Sequence, residues 1–311
     1  MGKEHLNISD KANSKLNMAD IGFECGDMFH SIGNFSIVPF NGFYLASFRR
    51  FAYYITSETE EYLTCQTLRL EDPHKQLFCL LDKDFNFIKH IPCATSTFWE
   101  DPKFNRRTPY LEDMRMVNWE GKIYGISSIF YQNEKSFERF GLEFQQIDVC
   151  SKGMEGCAHV ECQHRWNSIQ HGIFGRHKNF MPIPDKPFFF VSGTWQSGTQ
   201  LLDMKGDKFI CGGTIGSEDE LYRGNTPLVE TNTGYLTITH RLVFDERGRK
   251  RYINYLVEYN KDLSVRRVSR PFKLTQSNIE FVTTLLMRGD KIIIGVTEMD
   301  ETPWLMEFDD S

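Results

Sequence analysis

Carboxylates, guanidiniums and an imidazole recur along this chain at one phase of a repeated pattern, close to where an apolar strand opens. Asn34 and Ser36 open one such strand, and Arg49–Arg50 ends the hairpin that follows. Glu112, Asp113 and Arg115 open the next. Lys178 and Asn179 mark a third, Arg223, Asn225, Thr226 and His240 a fourth, and Glu280, Glu298 and Asp300 a fifth. One carboxylate among several cations suits proton transfer beside stabilised anionic groups, the combination used in group transfer to or from phosphate. Two carboxylates facing each other across a pocket suit hydrolysis instead, with their separation setting the stereochemistry. Taken singly, Arg49 or Arg115 can be read as pairing with a neighbouring carboxylate, and Glu280 as capping a strand. The shared phase is what points to a shared site.

A repeating β-architecture is needed to bring such residues together. Five segments share one pattern of apolar strand, tight turn and aromatic-rich strand: Phe35–Arg49, Met114–Phe130, Asn179–Thr194, Thr226–Arg241 and Glu280–Val296. Asn-Gly, Glu-Gly, Asp-Lys, Thr-Gly and Gly-Asp occupy the turns, which is hairpin chemistry. Marked at Gly42, Gly121, Asp185, Gly234 and Gly289, the units recur at intervals averaging about 62 residues, enough for a four-stranded blade and its loops. Leu77–Ile91 and Ile253–Ser269 read as outer hairpins, and helical periodicity is weak. The pattern predicts an all-β, five-bladed β-propeller of four-stranded antiparallel blades around a central pocket, closed by one terminus. A flexible segment is expected over 1–20, a single domain over 21–311, and a Cys-rich insertion at about 150–177. A pair of β-sandwich domains is the alternative.

Composition sets outer limits. The 311 residues are 40% hydrophobic and 25% charged, with a net charge of −6, which argues for a globular chain and against a nucleic-acid partner. Aromatics make up 14%, led by 26 Phe, which suits strands and sugar stacking, although most such rings are core. No run reaches the roughly 18–20 apolar residues of a membrane span, and residues 1–15 hold no apolar signal region, so a cytoplasmic location is expected. Asn7-Ile-Ser and Asn34-Phe-Ser are sequons without a secretory route, and the Arg-Gly-Asp at 288–290 reads as a hairpin turn. The 8 cysteines are mostly scattered, as reduced thiols are. Cys150, Cys157 and Cys162 cluster with His159 and His164; zinc ligation there competes with free thiols, because no CxxC knuckle is present. Phosphate-loop, nucleophile-elbow, zincin and dinucleotide-binding motifs are absent.

In order and phase, NFS…FR, LEDMR, KNF-MPIP, TPLVET-x-x-GYLTITH and IEF…GVTEMD resemble the five-bladed family-130 mannoside phosphorylases and their mannosyltransferase relatives, over roughly residues 30–308. The resemblance implies that Asp113, in the counterpart of a Glu-Asp-Pro-Arg motif, is the proton donor of an inverting reaction, acting through a sugar hydroxyl. It also implies that Asn34, Ser36, Arg49, Glu112, Arg115, His240 and Asp300 surround the sugar. Departures matter too. PLVET stands where the phosphorylases carry Pro-Pro-Ile-Lys-Thr, placing Glu230 at a phosphate position, and Ser192–Gly193 falls near the site of a missing His-Arg pair. An anion there should repel phosphate.

The expectation is therefore an inverting glycosyltransferase that needs no metal and no cofactor, with mannose as the candidate sugar. Its partners would be a glycan acceptor and a nucleotide-sugar or sugar-phosphate donor. Arg49, Arg50, Lys178 and Arg223 would neutralise the donor's charge, and Asn179, Thr226, His240, Glu280 and Asp300 would line the pocket. A manno-oligosaccharide phosphorylase or hydrolase is the first alternative, and a non-catalytic glycan-binding propeller the second.

Overall fold

Two-residue turns set the repeat. Asn41 and Gly42 both have positive φ (48° and 80°), as do Glu120 and Gly121 (53° and 77°). These turns match the right-handed twist of the strands they join. The computed structural model describes residues 14–18, 32–50, 53–58, 63–67, 76–95, 109–132, 137–150, 159–167, 179–186, 189–194, 198–203, 208–210, 222–248, 250–275, 277–299 and 302–309. Within them the chain is all-β, with five larger sheets and one separate hairpin.

Blade one runs outward as Ile32–Phe40, Phe43–Arg50, Gln76–Leu81 and Phe87–Ile91, with the hairpin Tyr53–Glu58/Leu63–Thr67 inserted. Blade two is Pro109–Trp119, Lys122–Gln132, Phe137–Cys150 and His159–Asn167, with Cys93–Thr95 added parallel at its edge. Blade three is Met181–Pro182, Phe189–Thr194, Gly198–Asp203 and Lys208–Ile210. Blade four splits its inner edge into Tyr222–Gly224 and Val229–Glu230. Both pair with Gly234–Phe244, which is followed by Lys250–Asn260 and Val265–Val268. Blade five is Glu280–Arg288, Lys291–Glu298 and Thr302–Asp309, completed by Ser14–Asn17.

That last pairing is antiparallel, so an N-terminal strand closes the ring onto the C-terminal one. It corrects the expectation of a flexible start to residue 20, since Ser14–Asn17 is a sheet strand. Part of the expected Cys-rich insertion at about 150–177 is blade strand as well: His159–Asn167 pairs with Phe137–Cys150 as the outermost antiparallel pair of blade two.

Five apolar clusters fill the five seams between neighbouring blades. Phe35 and Phe48 meet Ile293 and Leu305 between blades one and five, and Val38 and Leu45 meet Met114 and Ile123 between one and two. Trp119 and Phe144 meet Phe180 between two and three, Ile183 meets Tyr235 between three and four, and Ile238 meets Ile294 between four and five. Burial falls from the axis outward. Seven consecutive residues of Ile32–Phe40 are buried, whereas Phe87–Ile91 is exposed at all but Ile91. The buried aromatics in these seams take up much of the composition's excess, at roughly 1.5–3 kcal/mol per buried large side chain.

Candidate functional site

Two equivalent bulges aim polar residues at the axis. In blade one, Asn34 and Phe35 together stand opposite the single residue Phe48; in blade two, Asp113 and Met114 stand opposite Ser127. The first residue of each pair has positive φ, 44° at Asn34 and 53° at Asp113, and Asn179 at the entrance to blade three has 62°. Asn and Asp tolerate this left-handed backbone better than other side chains. A bulge re-aims one side chain and returns its neighbour to the core. Phe35 and Met114 accordingly point into the seams, at 0% and 1% exposure.

The two bulges meet. Asn34 Nδ2 donates to Asp113 Oδ1 at 2.8 Å, and Arg49 Nη1 donates to the same oxygen at 3.0 Å. The other arm of Arg49 pairs with Glu112, so one guanidinium spans both carboxylates. Asn34, Arg49 and Asp113 are all buried. The amide oxygen of Asn34 is also buried, and among the described residues it has no hydrogen-bond partner. An unfilled buried acceptor costs on the order of 1–3 kcal/mol unless a ligand hydroxyl or water completes it.

Arg115, fully buried, bolts the blades together. It donates through Nε to Asn225 O at 2.7 Å, through Nη2 to Asn179 Oδ1 at 3.3 Å, and through Nη1 to the Asp113 carbonyl. Its guanidinium carbon sits 5.4 Å from the centre of the Phe281 ring. Blades two, three, four and five therefore share one cation. Burial lowers its pKa to about 10, partly offset by Asp113, so it stays charged at neutral pH.

Blades four and five carry a directional relay. Glu280 accepts from Asn254 Nδ2 at 3.1 Å, Asn254 Oδ1 accepts from Asn225 Nδ2 at 3.3 Å, and Asn225 Oδ1 meets His240 Nδ1. A carboxylate only accepts, so each amide in turn presents its NH2 towards Glu280 and its oxygen the other way. The proton of His240 is thereby placed on Nδ1, leaving Nε2 as the acceptor nitrogen. Burial, then the charges of Arg223 and Arg115, push the imidazole down to about 3, so it is neutral. Its ring packs 4.6 Å from Tyr252 and edge-on to Phe281 at 5.6 Å.

The expected residues thus divide. Asn34, Arg49, Glu112 and Asp113 are brought into direct contact; Arg115, Asn179 and His240 converge beside them through Asn225. Others are taken up by the frame. Ser36 Oγ accepts from Met116 N at 2.9 Å, and the Thr226 hydroxyl bonds Thr237 and the Ile238 amide. Glu280, expected to line the pocket, accepts from the amides of Leu274 and Thr275 and from the Thr275 hydroxyl; burial raises its pKa against those bonds. Arg223 is half-buried, and burial lowers its pKa. Lys178, Asp300 and the side chain of Arg50 lie outside the described residues.

Glu230 corrects the sequence reading. It is exposed at the turn end of its blade and pairs with Lys261, so it does not face the axial residues. Asn254 was missed, yet it stands directly opposite His240 in the strand register. Only that pairing, which depends on where the hairpin turns, could have flagged it. Gly224 has a local necessity: a Cβ there would stand 2.5 Å from the Asn179 carbonyl, so glycine lets blades three and four close beneath the site.

No protein-family model matches the sequence, and no curated protein does. Solved structures do resemble the fold. A β-1,2-mannobiose phosphorylase from Listeria innocua, solved with β-1,2-mannobiose, superposes with TM-score 0.53 at 13% identity, covering 96% of this chain and 97% of its own. A mannose phosphorylase from Leishmania mexicana, solved with a phosphate ion, gives 0.57 at 11%, covering 92% and 86%. A GDP-Man-dependent mannosyltransferase from the same organism gives 0.54 at 14%, covering 90% and 85%. At these identities the likeness carries the architecture: the chain has the five-bladed propeller fold of these carbohydrate-active proteins.

Proposed function

We propose that the chain is a glycan-active enzyme that transfers a sugar with inversion from an activated donor to a glycan acceptor, with Asp113 handling the proton. The observation that carries this reading is the buried, unpartnered Asn34 oxygen beside an Asp113 carboxylate whose Oδ1 is held by Asn34 and Arg49. A proton exchanged with a sugar hydroxyl passes through the Asp113 carboxylate, while Asn34 Oδ1 accepts from a neighbouring hydroxyl of the same ring. Among the described residues at the axis, Glu112 is paired with Arg49 and Glu280 accepts four donors. With Asp113 as the acting carboxylate and an external group attacking the sugar, the reaction is a single displacement.

The likeness to a GDP-Man-dependent mannosyltransferase favours a nucleotide-sugar donor, and mannose as the sugar. Phosphorolysis is the second reading. It gains from the outward placement of Glu230, which removes the repulsion expected against phosphate. A thermal-shift screen of GDP-mannose, mannose 1-phosphate and inorganic phosphate, with mass spectrometry of products formed with manno-oligosaccharides, separates them. Chain extension from GDP-mannose supports transfer; phosphate-dependent release of mannose 1-phosphate replaces it with phosphorolysis. No stabilisation and no product with any of them overturns the enzyme reading.

A further inference from the structure

We propose that the outer hairpin of blade two holds a divalent transition-metal ion, zinc by its donor set, between Cys150, His159 and Glu161. The strand register places Cys150 opposite His159 and Asp148 opposite Glu161. Side chains two apart on a strand share a face, and so do cross-strand partners, so these four groups project together. The thiol, an imidazole nitrogen and a Glu161 carboxylate oxygen lie within 4.8 Å of one another, with His159 Nε2 3.0 Å from Glu161 Oε1. Sulfur, nitrogen and oxygen donors on one site suit zinc; calcium and magnesium take oxygen alone.

The three-thiol ligand set weighed in the sequence for Cys150, Cys157 and Cys162 differs from this arrangement. Cys162 turns to the opposite face, where it is buried with its sulfur 3.5 Å from that of Cys93, and Cys157 lies outside the described residues. A second observation favours a cation. Asp148 and Glu161 are directly opposed carboxylates, an arrangement that destabilises a sheet unless positive charge lies near. Gln146 Nε2, donating to Asp148 Oδ1 at 2.7 Å, supplies a dipole there but no charge.

Ligand atoms on tetrahedral zinc sit about 3.3–3.8 Å apart, so these half-exposed side chains need to draw in by about 1 Å. Binding replaces the thiol proton, which leaves to solvent, and the imidazole keeps a proton on its uncoordinated nitrogen. A water completes the fourth position. Because Cys150 ends one strand and His159 begins the next, the ion would pin the connected end of the hairpin, far along blade two from the strand that carries Asp113.

The test is cobalt titration of the reduced, chelator-stripped full chain, followed by zinc competition. One equivalent of cobalt should give a thiolate charge-transfer band that zinc abolishes, and zinc should raise the melting temperature by a few degrees. Cys150→Ser and His159→Ala should lose the band, Glu161→Gln should weaken binding at least tenfold, and all three should melt with the wild type in chelator. A wild type without the band, or a band that survives Cys150→Ser, overturns the site. So does undiminished affinity in Glu161→Gln, which decides the matter even where the cysteine variant folds poorly.

Discussion

The axis has two unlike arcs. Across blades one and two, Asn34, Arg49, Glu112 and Asp113 crowd around one guanidinium and leave a buried amide oxygen unfilled. Across blades four and five, His240, Asn225, Asn254 and Glu280 satisfy one another in a single file that ends on the amides of Leu274 and Thr275. Both arcs are buried and polar, but of the side chains named only Asn34 and Arg49, in the first, keep a buried atom without a partner among the described residues. Buried polar networks that are fully satisfied stiffen a fold, whereas a buried acceptor without a partner has room for one more donor, from a water or a ligand hydroxyl. The proposed function places the chemistry in the first arc and gives the second the task of holding it.

Substitutions in the two arcs should separate accordingly. The largest effect is expected from Asp113→Asn, which keeps the shape and the bond to Asn34 but loses the proton. Turnover should fall by roughly 10²–10⁴-fold with donor-induced thermal stabilisation retained. A variant with unchanged kcat breaks the division. Next comes Arg115→Met, between the arcs: leaving the acceptors of Asn225, Asn179 and Asp113 unfilled should cost about 3 kcal/mol in denaturant melts, with activity falling because the ring loosens. A loss below about 1 kcal/mol contradicts the bolt.

The smallest effect concerns His240 and shows as pH dependence. Its folded pKa of about 3 lies below the ordinary 6.5, so the unfolded chain binds the proton first. Its contribution is therefore complete above about pH 6.5 and drains away as the pH falls towards 3. Between pH 7 and 5 the wild type should lose about 2 kcal/mol more than His240→Gln, measured by urea unfolding at both values. Parallel losses in the two proteins contradict a neutral, buried imidazole.

Much of the architecture was legible because hairpin turns and apolar strands are local. Asn41-Gly42 and Glu120-Gly121 read as mirror-image turns before any pairing was known, and the phase they set pointed to Asn34 and Asp113. What was not legible depends on register between distant strands. The Asn34–Asp113 contact spans 79 residues, and Arg115 reaches 110 residues along the chain to Asn225. Thr226 and Glu280 share the phase of the site yet serve the frame, because Thr237 and the 274–275 amides, supplied by other segments, reach them first. Glu230 misled through motif position alone; its turn carries it outward to Lys261. The cysteine cluster misled in a similar way, since strand alternation splits Cys150 from Cys162.

The central claim is that one carboxylate, Asp113, moves the proton while an outside group attacks the sugar. The most direct measurement is the anomeric configuration of the first-formed product, followed by proton NMR with the donor that stabilises the chain. Inversion is expected. Retention, which needs a second carboxylate acting as nucleophile, would contradict the claim.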